Sequence, residues 1–490
     1  MATETNPESR PNTTAAPVAP PAAASRPYWG TTLVLLTGTF ISVLDFFIVN
    51  VAVPSIQRDL HASPAGIEWV VAGFALAYGS GLIIGGRLGD IFGRRRLFVL
   101  GLSLFVLSSA VCGIAPNIVV LIVGRLAQGL SAALLAPQIL AILGATFAGS
   151  LRVRAFNAYG VSMGLAAVFG QLIGGVLIQA NPGGLQWRSC FLINIPIGIV
   201  ALALVPRFVP DARAPGRPRL DFIGMILIAL ALTAVLLPLI EGRQLGWPAW
   251  SWASLGAAVV LFALFTLYER WLPERGGSPL VDLTLFRERA FTAGLGAQLI
   301  FWTGQASYFL VFALYLQFGR GLAPLDAGLI FMAIGAGYMA TSTTARFVAA
   351  RLGRQVIALG GLLRIVGLSF MILTLALIGD GGNIGWLVPA LVIDGAGQGL
   401  AVAPLATTVL SRVTPQHAGA AAGVLTTGIQ AGNALGVAIV GVIFYGVLNH
   451  VHGANAYAHA FSFSLIYVIL AAALLAALVQ LLPRTPGGAK

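Results

Sequence analysis

Lysine is almost missing from this 490-residue chain: of 28 basic residues, 27 are arginine and Lys490 is the exception. The Gly-x-x-x-x-Gly-Lys loop that cradles nucleotide phosphates therefore cannot be built, which disfavours ATP-driven pumping. Charge of either sign is scarce. Only 9% of residues are Asp, Glu, Lys or Arg, against about a quarter in an average soluble domain. Cysteine is confined to Cys112 and Cys190, too few for a disulfide framework. Neither a CxxC pair nor an HExxH helix occurs, so the chain has no recognisable enzymatic constellation and no resident metal site is expected. Long polar stretches are missing too, which removes the soluble domain that a membrane receptor or scaffold would carry.

What remains is apolar: 58% of residues are hydrophobic. Apolar runs follow one another from Thr31 to Leu482, each long enough for the roughly 20 residues that cross a ~30 Å hydrocarbon core. Barrel strands would be shorter and would alternate polar with apolar. The fold class is therefore an all-α polytopic membrane protein, with about fourteen spanning helices. Among them are spans over 189–206, 325–345, 384–411 and 418–447. Residues 1–27, rich in Ala, Pro and Thr, read as a disordered tail. Cys112 and Cys190 fall near helix ends on one side. They are read as small membrane-facing residues, although one bridge between them would be possible.

A net charge of +12 could signal nucleic acid, but the arginines sit in short loops between apolar runs. Arg58, Arg188, Arg243 and Arg320 fall on one face, and Arg125 and Arg364 fall within helices. The remaining basic residues all fall on the other face. The positive-inside rule puts that face, with both termini, in the cytoplasm. The expected location is a bacterial cytoplasmic membrane, the expected partners are the lipid bilayer, protons and a small-molecule substrate, and nucleic acid is not expected. The protein is expected to be a monomer.

Three pairs of segments repeat. Gly124-Arg125-Leu126-Ala127-Gln128-Gly129-Leu130 matches Asp394-Gly395-Ala396-Gly397-Gln398-Gly399-Leu400. The glycine-rich loop Gly85 to Arg96 has a degraded twin around Gly353-Arg354, with Ala350 under Asp90. Gly170-Gln171-Leu172-Ile173-Gly174 matches Gly432-Asn433-Ala434-Leu435-Gly436. Each pair joins helices of the same direction, as in two parallel halves. The divisions read as a tail at 1–27, a six-helix bundle over 28–210, an inserted hairpin over 211–275, a second six-helix bundle over 276–483, and a tail at 484–490.

These motifs resemble the fourteen-helix drug:proton antiporter branch of the major facilitator superfamily. Leu44-Asp45-Phe46-Phe47-Ile48-Val49-Asn50 through Pro54 is similar to that branch's first-helix signature, and Gly86 to Arg96 to the superfamily loop motif. Arg125 to Gly129 resembles the fourth-helix motif, and Trp187-Arg188 with Phe191, Asn194 and Pro196 the start of the sixth helix. The resemblance implies a major facilitator fold of two six-helix bundles plus an inserted hairpin. It also implies a proton-coupled exporter of lipophilic, often cationic, drugs or of an endogenous antibiotic, driven by the proton gradient with no cofactor. The alternative is a major facilitator carrier for a physiological metabolite.

The fifth-helix motif departs from the branch: Gly164, Gly170, Gly174 and Gly175 are present, but Gln171 stands where proline is usual. The glycines still allow close helix packing.

Asp45 lies about nine residues from its helix end, ~13 Å deep. An ionised carboxylate there is costly, so it is expected to load and release protons, with a cationic substrate able to compete for its charge, or to be locked against an arginine. The family gives Arg125 a part in proton transfer; the alternative is a structural pair with backbone carbonyls or with Asp45. Asp394, with Arg364 one helix away, is a second coupling candidate or a second inert pair. Gly86, Asp90, Gly93, Arg94 and Arg95 are the expected conformational gate. Candidate substrate-cavity residues are Phe46, Asn50, Trp69, Gln128, Gln305, Tyr308, Gln398 and Gln430. His450, His452 and His459 read as a solvated external loop.

Overall fold

The computed structural model describes residues 28–482 except 212–220, 278, 282, 380, 411–417, 452 and 454. The expected tails, most of the join before the hairpin, and His452 lie outside the described residues. Fourteen helices are long and apolar enough to cross a membrane. Among the described residues every regular element is helical.

The first half comprises α1 (Tyr28–Asp59), α2 (Pro64–Phe92), α3 (Arg94–Gly113), α4 (Ile118–Thr146), α5 (Gly149–Ala180), and a sixth span broken into α6 (Ser189–Leu192) and α7 (Asn194–Phe208). Local chemistry sets the boundaries. Ser63 caps α2, its hydroxyl accepting from Gly66 N at 3.1 Å with Pro64 in the first turn. Asn117 caps α4 through Val120 N at 3.0 Å. Such side chains satisfy amides that a helix start leaves without partners. Gly93 turns α2 into α3 at φ +100°, a conformation that a Cβ would resist.

The hairpin is α8 (Phe222–Glu241) and α9 (Ala249–Trp271). The second half comprises α10 (Arg289–Leu314), α11 (Pro324–Ser342), the short α12 (Ala345–Leu352), α13 (Gln355–Ile378), α14 (Val388–Leu410), α15 (Ala418–His450) and α16 (Ala456–Val479). Gly353, at φ +55° after α12, holds the corresponding position with a positive φ but a different ψ, −134° against 127° at Gly93. The sequence reading had no separate α12.

The two halves pack internally in the same way. In the first, α2 lies against α4, α3 against α4, and α1 against α5; in the second, α11 lies against α14, α13 against α14, and α10 against α15. Glycine permits the close approaches. A β-carbon on Gly129 would stand 2.4 Å from Phe74 O, and one on Gly399 would stand 2.5 Å from Tyr338 O. Gly174 rests on Ile48 of α1, and Gly436 on Thr303 of α10. These matched contacts are the repeat in three dimensions.

The halves meet along α2 with α15, α5 with α11, and α1 with α10. One end of the bundle carries Arg94 to Arg96 and Arg354 (the arginine-rich end); Arg58, Arg188, Arg243 and Arg320 mark the other. At the arginine-poor end, Gln317 donates to Val51 O at 2.9 Å, and Gly175 packs against the backbone of Pro324 and Leu325. Glu68 pairs with Arg243 at 3.0 Å and fills the space beside Gly441.

The hairpin leans on α2 and α15. At its arginine-rich end it holds the loop that leads into α10. Asp221 caps α8 through Gly224 N at 2.8 Å and accepts from Leu280 N at 3.2 Å. Glu269 accepts from Val281 N at 3.0 Å, and Arg87 of α2 donates to Pro279 O. A space of about 1010 Å³ lies between the hairpin, this loop and the α2/α15 seam.

Candidate functional site

Asp45 projects into the interior of the first half, fully buried. Four helices converge on it. Arg125 of α4 donates from Nη1 to Oδ2. Gln128 of α4 and Asn194 of α7 donate to Oδ1 at 3.0 and 2.8 Å. Ser109 of α3 accepts from both amides, at 2.8 Å from Gln128 and 3.3 Å from Asn194. Arg125 is itself fixed, donating to Val70 O at 2.9 Å and Gln128 Oε1 at 2.9 Å, with its guanidinium 4.4 Å over the Phe74 ring. Charged hydrogen bonds and a ring face replace the water that both ions have lost.

Arg125 is thus the ion-pair partner of Asp45, an arrangement that fits either expectation for the carboxylate. Gln128, a cavity candidate, is placed in the Asp45 cluster. Ser109 and Cys112 were missed in the sequence; Cys112 donates to Gln128 Oε1 at 3.3 Å. A polar pair, Ser108-Ser109, inside an apolar helix was the available signal. Asn194 was visible as part of a motif, but not as a partner of Asp45. Both cysteines are free and buried, so they neither bridge nor face lipid.

The second half has its own pair. Arg364 of α13 donates from Nε to Asp394 Oδ1 at 3.0 Å. Gln398 donates to Asp394 Oδ2 at 2.7 Å, and Gln305 of α10 donates to Gln398 Oε1 at 2.8 Å. Asp394 is fully buried, whereas Gln305, at the end of this chain of amides, is 6% exposed. Tyr308 is fully buried and stacks on Phe312 with ring centroids 5.8 Å apart.

Of the other cavity candidates, Phe46 joins Phe47 and Phe309 in a line of rings that crosses between the halves, Phe47 to Phe309 at 5.4 Å. Asn50 is on α1 beside Val51, the residue that Gln317 reaches from the other half. Gln430 faces Gly79 across the α2/α15 seam. Trp69 does not belong with them: its Nε1 donates to Glu241 Oε1 at 3.1 Å at the hairpin. Sequence alone could not place the hairpin there. The Glu68–Arg243 pair was also missed, although an acid in an apolar run was its signal.

In the expected gate, Asp90 and Arg94 pair at 2.9 Å, and Arg94 also donates to Ala141 O of α4 at 3.2 Å. Gly86 faces Pro137 at ordinary contact distance, and Arg95 is half-buried. In the fifth helix, Gly170 lies on Phe47 of α1 and Gly164 faces Tyr338 of α11. Gln171 is buried where α5 passes Gly328, and its amide has no protein partner among the described residues.

Comparison with known proteins agrees with this architecture. The model of the Major Facilitator Superfamily matches residues 35–437. The chain is 37% identical over 451 residues to the probable actinorhodin transporter of Streptomyces coelicolor, covering 90% of this chain and 76% of that one. It is 31% identical over 409 residues to the multidrug resistance protein Stp of Mycobacterium tuberculosis, covering 83% and 74%. It is 33% identical over 427 residues to the tetracenomycin C resistance and export protein of Streptomyces glaucescens, covering 85% and 76%. Among solved structures, a POT family transporter in complex with a thioalcohol-conjugated peptide aligns with TM-score 0.66, covering 91% of this chain and 94% of that one at 16% identity. That likeness concerns the fold alone. Fourteen apolar helices, a duplicated six-helix bundle, a central seam and these relatives place the chain in the major facilitator superfamily, as a multi-pass small-molecule transporter of its fourteen-helix drug-export branch.

Proposed function

We propose that the protein exports a lipophilic drug or antibiotic across a bacterial cytoplasmic membrane in exchange for protons, working as a monomer with no cofactor. The arginine-rich end and both termini face the cytoplasm, on the strength of the arginine distribution. The relatives' names point to antibiotic and multidrug export, which favours this reading over a metabolite carrier.

The observation that carries the coupling is Asp45: a buried carboxylate held by α4 and α7 at a junction that α3 also joins. Protonating it removes the ion pair. Arg125 keeps its bonds to Val70 O and Gln128, but α1 loses its electrostatic tie to α4. Loss to the cytoplasm of the proton that entered from outside restores the tie. Two packings of the first half, chosen by one proton, are the bistable element that alternating access needs. Asp394 with Arg364 is the second proton site, and Asp90 with Arg94 sets the cytoplasmic gate. The glycines of α5, with Gln171, provide the face on which the halves rock.

The test is proton flux from proteoliposomes loaded with the purified protein. Adding exported drugs releases protons from wild type and leaves Asp45→Asn silent. Cotransport of protons with substrate in the same direction would instead support symport and overturn the reading. A drug-tolerance screen in an efflux-deficient host identifies the cargo.

A further inference from the structure

The seam between the halves has an unusual balance of charge and hydrogen bonding. Each buried carboxylate of the spanning interior is closed by an arginine: Asp45 by Arg125, Asp394 by Arg364, and Glu68 by Arg243. Asp221 and Glu269, at the arginine-rich end, are engaged by the backbone of the loop at 280–281. A cation at the rings of Phe47 and Phe309 therefore meets no carboxylate that lacks an arginine; Glu241, which accepts from Trp69, and the Asp221–Glu269 group lie out at the hairpin. Protonating a coupling carboxylate makes matters worse for a cation, because the arginine stays positive. An ion desolvated there without a counter-charge is strongly disfavoured.

Hydrogen bonding along α1, α10 and α15 leans the same way. Besides Asn194 in the Asp45 cluster, four buried amides there spend a donor inside the protein and leave the carbonyl oxygen without a protein donor among the described residues. Asn50 Nδ2 donates to Phe47 O at 3.1 Å, and Gln317 Nε2 to Val51 O at 2.9 Å. Gln305 Nε2 donates to Gln398 at 2.8 Å, and Asn433 Nδ2 to Gln430 Oε1 at 3.4 Å. The unpaired atoms of these four are acceptors, and they belong to α1, to α10 with the turn after it, and to α15, whereas Gln171 at the α5/α11 contact leaves both its oxygen and its Nε2 unpaired. Buried acceptors left unpaired are costly, so a ligand that supplies donors gains from them. Gln305 is further joined through Gln398 to Asp394, which links a cargo contact to an ionisable group.

Building on the exporter reading, we infer that the cargo crosses uncharged, as an aromatic molecule rich in hydroxyl or N–H donors, with Gln305 as a specificity-determining contact. Exchange of such a cargo for a proton carries net charge. A 100 mV potential then sustains roughly a fifty-fold cargo gradient per proton with no pH difference.

The experiment uses the full chain in proteoliposomes under an imposed potassium–valinomycin potential at equal pH, with two aromatic, donor-bearing probes. Chloramphenicol is uncharged and ethidium is a permanent cation. Wild type moves chloramphenicol in response to potential and moves ethidium at least tenfold more slowly. Gln305→Leu raises the apparent chloramphenicol KM about tenfold. Gln305→Glu and Asn50→Asp, which add an uncompensated carboxylate, admit ethidium and raise its rate at least tenfold, a gain that misfolding cannot mimic. Ethidium export by wild type within a few-fold of chloramphenicol export overturns the inference, as does chloramphenicol exchange indifferent to potential. Both results leave proton-coupled export standing. Proton flux with neither probe, nor with any drug of the tolerance screen, sinks the exporter reading and this inference with it.

Discussion

The two buried ion pairs occupy corresponding places in the two halves, yet they are built differently. Gln128 and Gln398 stand at matching positions, each one residue before a glycine that touches the preceding even-numbered span. In the first half, the carboxylate is on α1 and the arginine on α4. In the second half, the carboxylate is on α14, the counterpart of α4, and the arginine on α13, the counterpart of α3. The first cluster is a closed circuit: Asn194, Ser109 and Gln128 return every hydrogen bond to its own members. The second has a lead, running from Asp394 through Gln398 to Gln305 at the seam. A duplicated scaffold thus keeps the depth of its charge while changing which helices the charge joins. One half fastens its own helices together, and the other connects its ion pair to an amide of α10.

The largest break in this comparison is expected from Arg125→Leu. It leaves Asp45 without its counter-charge, a loss worth about 3–5 kcal/mol in buried pairs. Thermal unfolding in detergent should show a large fall in midpoint, and Asp45→Asn on the same background should recover much of it. Full stability of the single variant would mean that Asp45 is already neutral.

Arg364→Leu comes next. Gln398 still holds Asp394, and the amide lead gives that carboxyl an exit toward the seam, so the fall should be smaller than for Arg125→Leu. An equal or larger fall would remove the distinction between closed and open clusters. Asp394→Asn sharpens the comparison functionally. If Asp394 is a second proton site, the potential dependence of transport weakens by one charge per cycle. Unchanged dependence makes Asp394 a fixture of the fold.

The smallest effect on stability is expected for Asp90→Ala. Its pair with Arg94 is partly exposed, with side chains 32% and 19% accessible, and i,i+4 pairs of this kind contribute only about 0.3–0.5 kcal/mol. Insertion and unfolding midpoint should stay near wild type while turnover falls. A parallel loss of both would make the loop a packing element rather than a gate.

Much of the fold was legible because a bilayer imposes one length and one polarity on every span, and the chain repeats them. The breaks were not legible. The interruption of the sixth span at Ile193, the π-helical turn at Tyr315–Gly319 and the short α12 depend on what packs beside them. Asp45, Arg125, Asp394 and Arg364 could be found as charges in apolar runs, and the Asp394–Arg364 pairing could be named. The partners Ser109 and Asn194 could not, because sequence does not say which faces of α3 and α7 turn inward. Aromatic residues were least informative: a ring suits a lipid-facing surface, a helix contact or a seam equally well. Phe47 proved to be at the seam and Trp69 at the hairpin for reasons that only the placement of the helices supplies.

The pinned loop between the hairpin and α10 has a mechanical consequence. Its backbone is held at Pro279, Leu280 and Val281 by α2 and by the hairpin, and α10 begins at Arg289. The slack between anchor and helix is roughly seven residues, at most ~25 Å when drawn straight. Part of that length is already coiled in the turn Leu283–Arg287. The second half is thus on a short leash fastened to α2 and the hairpin, which limits how far α10 can travel from them at the end where the leash is tied.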